Sequence, residues 1–260
     1  MSTSVDKKVV WITGGGSGIG RALALEYAEY GHTVVISGRR VSALEDTKSK
    51  YPDRITPIVC DVTKDDMVAQ VVEEIVRLHH RIDVVIANAG YGQSGWVQKV
   101  EMNQWRRQFD VNFFGLVSTV RHSLPHLKRS GGQVVLMSSV MAYVRFIKSA
   151  PYCASKAAVT AFGETLQLEL RDSKADCTIV HPGFVESEIG QINAEGTFDP
   201  TMHDRRPQHL MWTAERAARV MKRAIDRRRS HFTFTAHGVV GELLARFFPR
   251  ALLWAMKRFV

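Results

Sequence analysis

The stretch Val9-Val10-Trp11-Ile12-Thr13-Gly14-Gly15-Gly16-Ser17-Gly18-Ile19-Gly20, which runs straight into RALALEYAEYG, decides the fold. Its first five residues are mostly β-branched and show no polar alternation, so they read as a strand covered on both faces. From Ile19 to Tyr30 the apolar residues fall at three- and four-residue spacing, which is helical. Between them, glycines allow backbone N–H groups to approach an anion closely, and the helix that follows presents its positive end to the same place. A tight turn is the reading the glycines would have on their own; strand before and helix after point instead to a pyrophosphate.

The same alternation continues along the chain. VVWIT (9–13), TVVIS (33–37), ITPIV (55–59), DVVIA (83–87), QVVLM (133–137) and CTIV (177–180) read as strands, and 19–30, 41–50, 64–80, 101–129, 152–171 and 213–228 as helices. Parallel strands need crossovers of about a dozen residues, and helices on both faces explain the unbroken apolar runs, so the expectation is an α/β fold with a doubly wound parallel sheet in one domain over 1–260. Ligands on such sheets bind beyond the carboxyl ends of the strands. With 260 residues, 45% of them hydrophobic, the chain can fill a sizeable core, which excludes disorder, and its 19 Gly and 8 Pro show no collagen-like period.

The net charge of +9 is unevenly placed: residues 1–204 hold 22 basic and 23 acidic groups, residues 205–260 hold 13 and 3. A uniform cationic coat would suit nucleic acid, whereas an excess confined to a tail rich in Phe, Leu and Trp suits an anionic membrane surface or an acidic partner. No nucleic-acid role is therefore assigned. Cys60, Cys153 and Cys177 are odd in number and lack CxxC spacing, which fits free buried thiols in a reducing compartment. MSTSVDKKVV enters a strand within ten residues and carries no apolar signal core, so a cytoplasmic protein is expected.

At the end of the second strand, about 20 residues past the glycine loop, a dinucleotide site usually places a carboxylate on the adenosine ribose. Here the residues are Ser37-Gly38-Arg39-Arg40. With the acid missing, Arg39 and Arg40 suit bidentate contact with a 2′-phosphate, which predicts NADP(H); a solvated arginine pair at a helix start is the alternative. Asp61, in Cys60-Asp61-Val62, is placed either to accept from an adenine amino group or to cap the next helix. Ala87-Asn88-Ala89-Gly90 ends the fourth strand with small residues that let a cofactor lie against the sheet edge, or make a plain turn.

Tyr152 and Lys156 are four residues apart on a helix opened by Pro151, which stacks them on one face. Free tyrosine titrates near 10, so acid–base work near neutrality asks for about 4 kcal/mol of preference for the charged form, which a neighbouring ammonium can provide. An aromatic core residue beside a surface lysine is the plainer reading of YxxxK. Ser139, at the carboxyl end of the fifth strand, can polarise a carbonyl, although it or Ser138 can equally cap a turn. Asn112 interrupts a long helical stretch where Asn is disfavoured, so it either contacts its own helix or holds a water in a proton path.

Together these pieces resemble the short-chain dehydrogenase/reductase family, in its short single-domain branch, over about residues 5–190. TGGGSGIG (13–20) is similar to the family's TGxxxGIG, ANAG (87–90) to its NNAG with Ala87 replacing the first Asn, and Val111-Asn112 to its catalytic-Asn motif. His181-Pro182-Gly183-Phe184-Val185-Glu186-Ser187 is similar to PGxxxT, with Ser187 keeping a hydroxyl where the family has Thr. The resemblance implies hydride exchange between a nicotinamide and a carbonyl or secondary alcohol. It implies Tyr152 as general acid, Lys156 as the group that lowers its pKa and binds the nicotinamide ribose, Ser139 as the residue that orients the substrate oxygen, and Asn112 as keeper of a water relay. It implies cofactor contacts from Gly14, Ser17, Gly18, Ile19, Gly20, Arg39, Arg40, Asp61, Val62, Asn88, Ala89, Gly90, Pro182, Gly183, Val185 and Ser187, together with Tyr152 and Lys156. A homodimer or homotetramer through 101–129 and 152–171 is implied as well.

Residues 184–210 are too long and too mixed for a simple connector and read as a lid over the substrate. His203 and His209 lack metal-ligand spacing, and no metal is assigned. After a last strand, His231–Thr235, the segment 238–260 is a basic amphipathic stretch that Pro249 should kink; its charges rule out a membrane span and leave the bilayer interface, a sister subunit or the sheet as its resting place. The sequence thus predicts an NADPH-dependent reductase of a small-molecule carbonyl, an apolar or lipid-like ketone. The alternative is an idle NADP(H)-sensing or peripheral-membrane binding protein on the same fold.

Overall fold

The computed structural model describes residues 7–193, 195–204 and 206–259. The first six residues of the N-terminal stretch, Ala194 and Arg205 of the expected lid, and Val260 at the end of the tail lie outside them. The chain runs β1 (Val9–Thr13), α1 (Gly18–Glu29), β2 (Thr33–Gly38), α2 (Val41–Ser49), β3 (Ile55–Val59), α3 (Asp65–His79), β4 (Val84–Ala87), α4 (Met102–Phe109), α5 (Gly115–Ser130), β5 (Gln133–Met137), α6 (Ala150–Glu169), β6 (Asp176–His181), α7 (Ala214–Asp226), β7 (His231–Thr233), α8 (Ala236–Phe247) and α9 (Pro249–Phe259).

All seven strands pair in parallel in the order β3-β2-β1-β4-β5-β6-β7. The order reverses between β1 and β4, so the loops leaving those two strands diverge there and open a crevice. Helices cover both faces, and each face has its own apolar layer: Trp11, Val35, Val85 and Leu136 on one side, Ile12, Ile36, Ile86 and Val135 on the other. Alternate residues of one strand feed opposite layers, which is why the strands show no alternation of polar and apolar positions. Trp11 is fully buried, and its indole N–H is satisfied by Ser37 Oγ at 3.0 Å. The three cysteines are free and buried.

Two stretches depart from the expected pattern. The single helix expected over 101–129 is α4 and α5 with a π-helical turn, Asp110–Phe114, between them. That turn inserts one residue into the helical repeat and swings Asn112 inward, where it is fully buried. The kink expected at Pro249 is a full break: Phe248 leaves helical geometry (φ −131°, ψ 51°) and Pro249 begins α9, a position where its missing N–H costs nothing. Among the described residues no helix is long and apolar enough to cross a membrane.

Candidate active site

The crevice is built first from the glycine loop. Gly14 (φ +68°) and Gly18 (φ +49°) sit in left-handed geometry that other residues resist. At Gly20 a Cβ would lie 2.3 Å from Gly14 O and 2.5 Å from Asn88 Nδ2, so the first turn of α1 can close on the loop only with glycine there. Ser17 is the N-cap of α1 and makes no side-chain cap bond, so its hydroxyl is left free at the positive end of the helix.

Asn88 and Ala89 are fastened to this loop rather than merely near it. Thr13 Oγ1 accepts from both Asn88 N and Ala89 N at 3.0 Å, and Asn88 Nδ2 donates to Thr13 O at 2.9 Å. The exits of β1 and β4 therefore move as one unit. Across the crevice, Ser187 meets the loop from the β6 side: a Cβ on Gly18 would lie 2.8 Å from Ser187 Cβ. Pro182 O accepts from Val140 N at 3.0 Å, and Gly183 is pressed against Thr235 and His237, where a Cβ would reach Thr235 Oγ1 at 2.3 Å. Val185 is buried and bridges to Trp212.

The polar residues expected to do chemistry converge beside this line. Lys156 is buried on α6, and its Nζ donates to Met137 O at 2.7 Å, the last carbonyl of β5. Its Nζ stands 5.8 Å from the centre of the Tyr152 ring, one helical turn back. Ser139 lies just past β5, where its Oγ accepts from Met141 N at 3.1 Å and donates to Pro182 O at 3.5 Å, near enough to Tyr152 to favour its phenolate. Ser138 points away, to Lys156 O and Thr160 Oγ1, so the two serines divide: Ser138 braces α6, and Ser139 faces Tyr152. Asn112 Oδ1 accepts from Tyr91 N, and its Nδ2 donates to Tyr91 O and Ser155 Oγ. It thus bonds to the loop after β4 and to α6, not to its own helix.

Electrostatically the two catalytic candidates start from unequal positions. Burial alone pulls Lys156 down to about 8, because the charged ammonium has lost its water. Burial pushes the Tyr152 hydroxyl up, opposed by the Ser139 hydrogen bond and the nearby Arg206 charge. In the protein alone burial outweighs the groups that favour the Tyr152 phenolate, and the Lys156 ammonium is engaged by Met137 O.

These residues fit a dinucleotide. An ammonium has three N–H donors, and Lys156 spends one on protein among the described residues. Its neighbour Gly90 keeps the approach clear, since a Cβ there would stand 3.1 Å from Asn112 Oδ1 and 3.5 Å from Lys156 Nζ. Two buried or crowded glycine positions, a free cap hydroxyl and an under-used buried ammonium are what a ribose and a pyrophosphate would satisfy.

Other candidates have local duties as well. Asp61 Oδ1 accepts from Thr63 N and Thr63 Oγ1, so that oxygen closes the turn into α3; Val62 packs beneath Gly115. Arg39 Nη2 donates to Gly196 O at 2.6 Å, and Arg40 pairs with Glu188 and stacks 4.7 Å over Phe198. Both arginines therefore hold the 184–210 segment across the crevice. Thr13, Tyr91, Glu188 and His237 are site residues the motifs did not single out. Thr13 stood inside the glycine motif and Tyr91 directly after ANAG, but nothing local marks Glu188 or His237, whose Nε2 accepts from Phe184 N at 3.2 Å.

Comparison with known proteins agrees with this geometry. The family model described as short chain dehydrogenase matches residues 8–196. The 11-beta-hydroxysteroid dehydrogenase A of Sesamum indicum is 34% identical over 266 residues, covering 98% of this chain and 76% of that protein. The 11-beta-hydroxysteroid dehydrogenase 1A of Arabidopsis thaliana is 38% identical over 189 residues, 71% of this chain, but the match spans only 54% of that longer protein. Among solved structures, a short chain dehydrogenase/reductase from Burkholderia phymatum in complex with NAD superposes with a TM-score of 0.84 at 24% identity, covering 96% of this chain and 95% of that one. A short chain dehydrogenase from Burkholderia cenocepacia in complex with NADP gives 0.83 at 23% identity, covering 96% and 97%. The fold is shared with both. The family match over most of the chain, and the likeness to the sesame protein over nearly all of it, show that this chain belongs to the short-chain dehydrogenase/reductase family of nicotinamide-dependent oxidoreductases.

Proposed function

We propose that the protein is an NADP(H)-dependent reductase of an apolar ketone, able to oxidise the matching secondary alcohol in reverse. The convergence of Tyr152, Ser139 and Lys156 on one side of the crevice carries this reading. Preference for the phosphorylated cofactor is supported by Arg39 and Arg40 directly after β2, with Gly38 where an acid would bind the 2′-hydroxyl. An apolar substrate is supported by the names of the relatives and by the exposed side chains of Trp96, Val97, Phe146 and Ile147 in the two loops that follow β4 and β5.

A reduced nicotinamide bound in the crevice would be the source of hydride for the carbonyl carbon. The glycine loop and α1 would hold the pyrophosphate, and Arg39 and Arg40 would hold the 2′-phosphate once released from Gly196 and Glu188. Pro182, Gly183, Val185 and Ser187 bound the nicotinamide end. Ser139 Oγ donates to the substrate oxygen and fixes its direction, and Tyr152 Oη gives that oxygen a proton. Lys156 offers its spare N–H donors to ribose hydroxyls, which keeps it charged and draws the Tyr152 proton toward release. Asn112 acts as a positioning residue: its side chain locks Tyr91 to the π turn and so holds open the gap at Gly90 through which a proton relay to Lys156 would run. The 184–210 segment closes over the substrate. The same reading carries a homo-oligomer built through α4–α5 and α6, which sedimentation equilibrium would reveal.

Loss of NADPH absorbance over a panel of apolar ketones, with NADH alongside, tests the proposal. Ketone-dependent oxidation faster with NADPH supports it. Tight NADPH binding without oxidation of any ketone or reduction of NADP by any alcohol would favour the sensing role instead.

A further inference from the structure

The C-terminal pair α8–α9 is packed the wrong way round for a helix whose job is to cover its own core. The residues α8 turns inward are small or polar: a Cβ added at Gly238 would lie 2.9 Å from Val140 Cγ1, and one at Gly241 2.9 Å from Val144 Cγ2. Its large side chains point out, Phe247 with 71% of its surface exposed, and Trp254 of α9 is 67% exposed. Val240, Leu243 and Leu253 are exposed as well. A helix stabilised by packing on its own domain shows the reverse distribution.

The charges on this pair are equally one-sided. Residues 236–260 contain Arg246, Arg250, Lys257 and Arg258 against a single acid, Glu242. That acid is mostly buried and already engaged, by Arg246 at 2.8 Å and by the Thr233 hydroxyl. Among the described residues, Arg250, Lys257 and Arg258 make no ion pair, and all three are exposed. On α9 they lie at three- and four-residue spacing from Trp254, so cations ring an exposed indole on one face.

We propose that the outward face of α8 and α9 seats on an anionic phospholipid bilayer. Apolar side chains would enter the headgroup–acyl boundary, and the three cations would meet lipid phosphates. A second copy of this chain is the poorer occupant, because a two-fold interface would bring the same cations face to face. The seat also adjoins the catalytic groove. The segment that α8 covers, Val140 to Val144, begins directly after Ser139, and Arg246 donates to Tyr143 Oη at 3.0 Å. An apolar ketone dissolved in the leaflet would then lie next to the mouth of the site. That consequence rests on the proposed function; the docking does not.

Sedimentation of the full chain with phosphatidylcholine vesicles, with and without phosphatidylglycerol, tests the docking without any turnover. The expected result is co-sedimentation that needs phosphatidylglycerol and weakens as salt rises. Phe247→Ser with Trp254→Ser should reduce partitioning at least about tenfold. Reversing the charges by Arg250→Glu, Lys257→Glu and Arg258→Glu should reduce it further, at about fivefold or more for each cation lost. All five positions are exposed, so the thermal midpoint should stay unchanged, which separates lost docking from lost folding. Protein left in the supernatant with anionic vesicles at low salt overturns the proposal. So does equal binding to both vesicle types, or a dimer that Phe247→Ser dissociates while vesicles are ignored. None of these results bears on ketone reduction, which is read separately with a water-soluble ketone.

Discussion

Arg40 donates to the carboxylate of Glu188 across 148 positions of the chain, joining the end of β2 to the turn that follows β6. The residue suited to grip a 2′-phosphate is thus already holding an anion of the protein's own. On the proposed reading, a phosphate bound by Arg40 would have to displace Glu188, whose carboxylate would then stay nearby and repel it. Both partners are about one-third exposed, so the pair itself is worth at most about 1 kcal/mol. Glu188→Gln should therefore tighten NADPH about two- to fivefold and leave NADH unchanged. Fluorescence titration of both cofactors measures this; equal effects on the two would place the 2′-phosphate elsewhere.

Cofactor preference should be reversible at β2. A Cβ at Gly38 has its nearest neighbour at 3.7 Å, Leu44 Cδ2, so an acid fits without disturbing α2. Gly38→Asp with Arg39→Asp adds an acceptor for a 2′-hydroxyl and turns a phosphate attraction into a repulsion. The ratio of kcat/KM for NADPH over NADH should fall by about two orders of magnitude or more. A ratio that stays put in the double variant would remove these arginines from the cofactor site.

Tyr152→Phe deletes one oxygen and keeps the ring that packs near Lys156. Removal of a general acid typically costs about 10²- to 10⁴-fold in rate. We expect that loss in kcat, with NADPH affinity within about twofold of the parent, since no binding contact is lost beyond the one hydroxyl. Isothermal titration paired with single-turnover absorbance makes the comparison. A variant that turns over at the parent rate means the proton comes from another group.

The buried amine gives cofactor binding a pH dependence. Lys156 titrates at about 8 in the protein, and its protonated form is the one with three donors for ribose oxygens. Affinity should be highest below that value and fall as pH rises through it, because deprotonation then competes with binding. In Lys156→Met the fall should vanish. A parent dissociation constant that stays flat from about pH 7 to 9 would show that Nζ does not meet the cofactor.

Acid lability should trace to His181. It is buried at the end of β6, stacked on His231 at 5.7 Å, with Nε2 3.3 Å from Thr160 Oγ1. Burial first, then the neighbouring His231 and Arg246, pulls it from its ordinary value of 6.5 to about 3. The folded pKa is the lower one, so between these values the unfolded chain binds the extra proton. The contribution to stability is complete above about 6.5 and is lost as pH falls towards 3. The parent should lose about 1.4 kcal/mol per pH unit in that window from this group, and His181→Gln should lose that slope. Urea unfolding at a series of pH values gives both slopes; parallel curves would mean the imidazole is solvated.

Periodicity, glycine placement and the four-residue spacing of Tyr152 and Lys156 are local properties, and they were enough to identify a doubly wound parallel sheet and to single out Ser139, Tyr152 and Lys156 as candidates at its carboxyl edge. They are written in the order of side chains along each element, so a reader of the chain alone can recover them. Partnership is not. That Ser138 braces α6 while Ser139 faces Tyr152, that Asn112 grips Tyr91 through a π turn, and that Glu188 competes for Arg40 all depend on which surfaces meet after the strands have stacked. So does the lowered pKa of Lys156, since desolvation is set by everything packed around the amine and not by its neighbours in the chain. The outward face of α8 makes the same point: its apolar stripe was visible from residue spacing, but only the docking of Gly238 and Gly241 onto Val140 and Val144 settled which side of that stripe faces the protein.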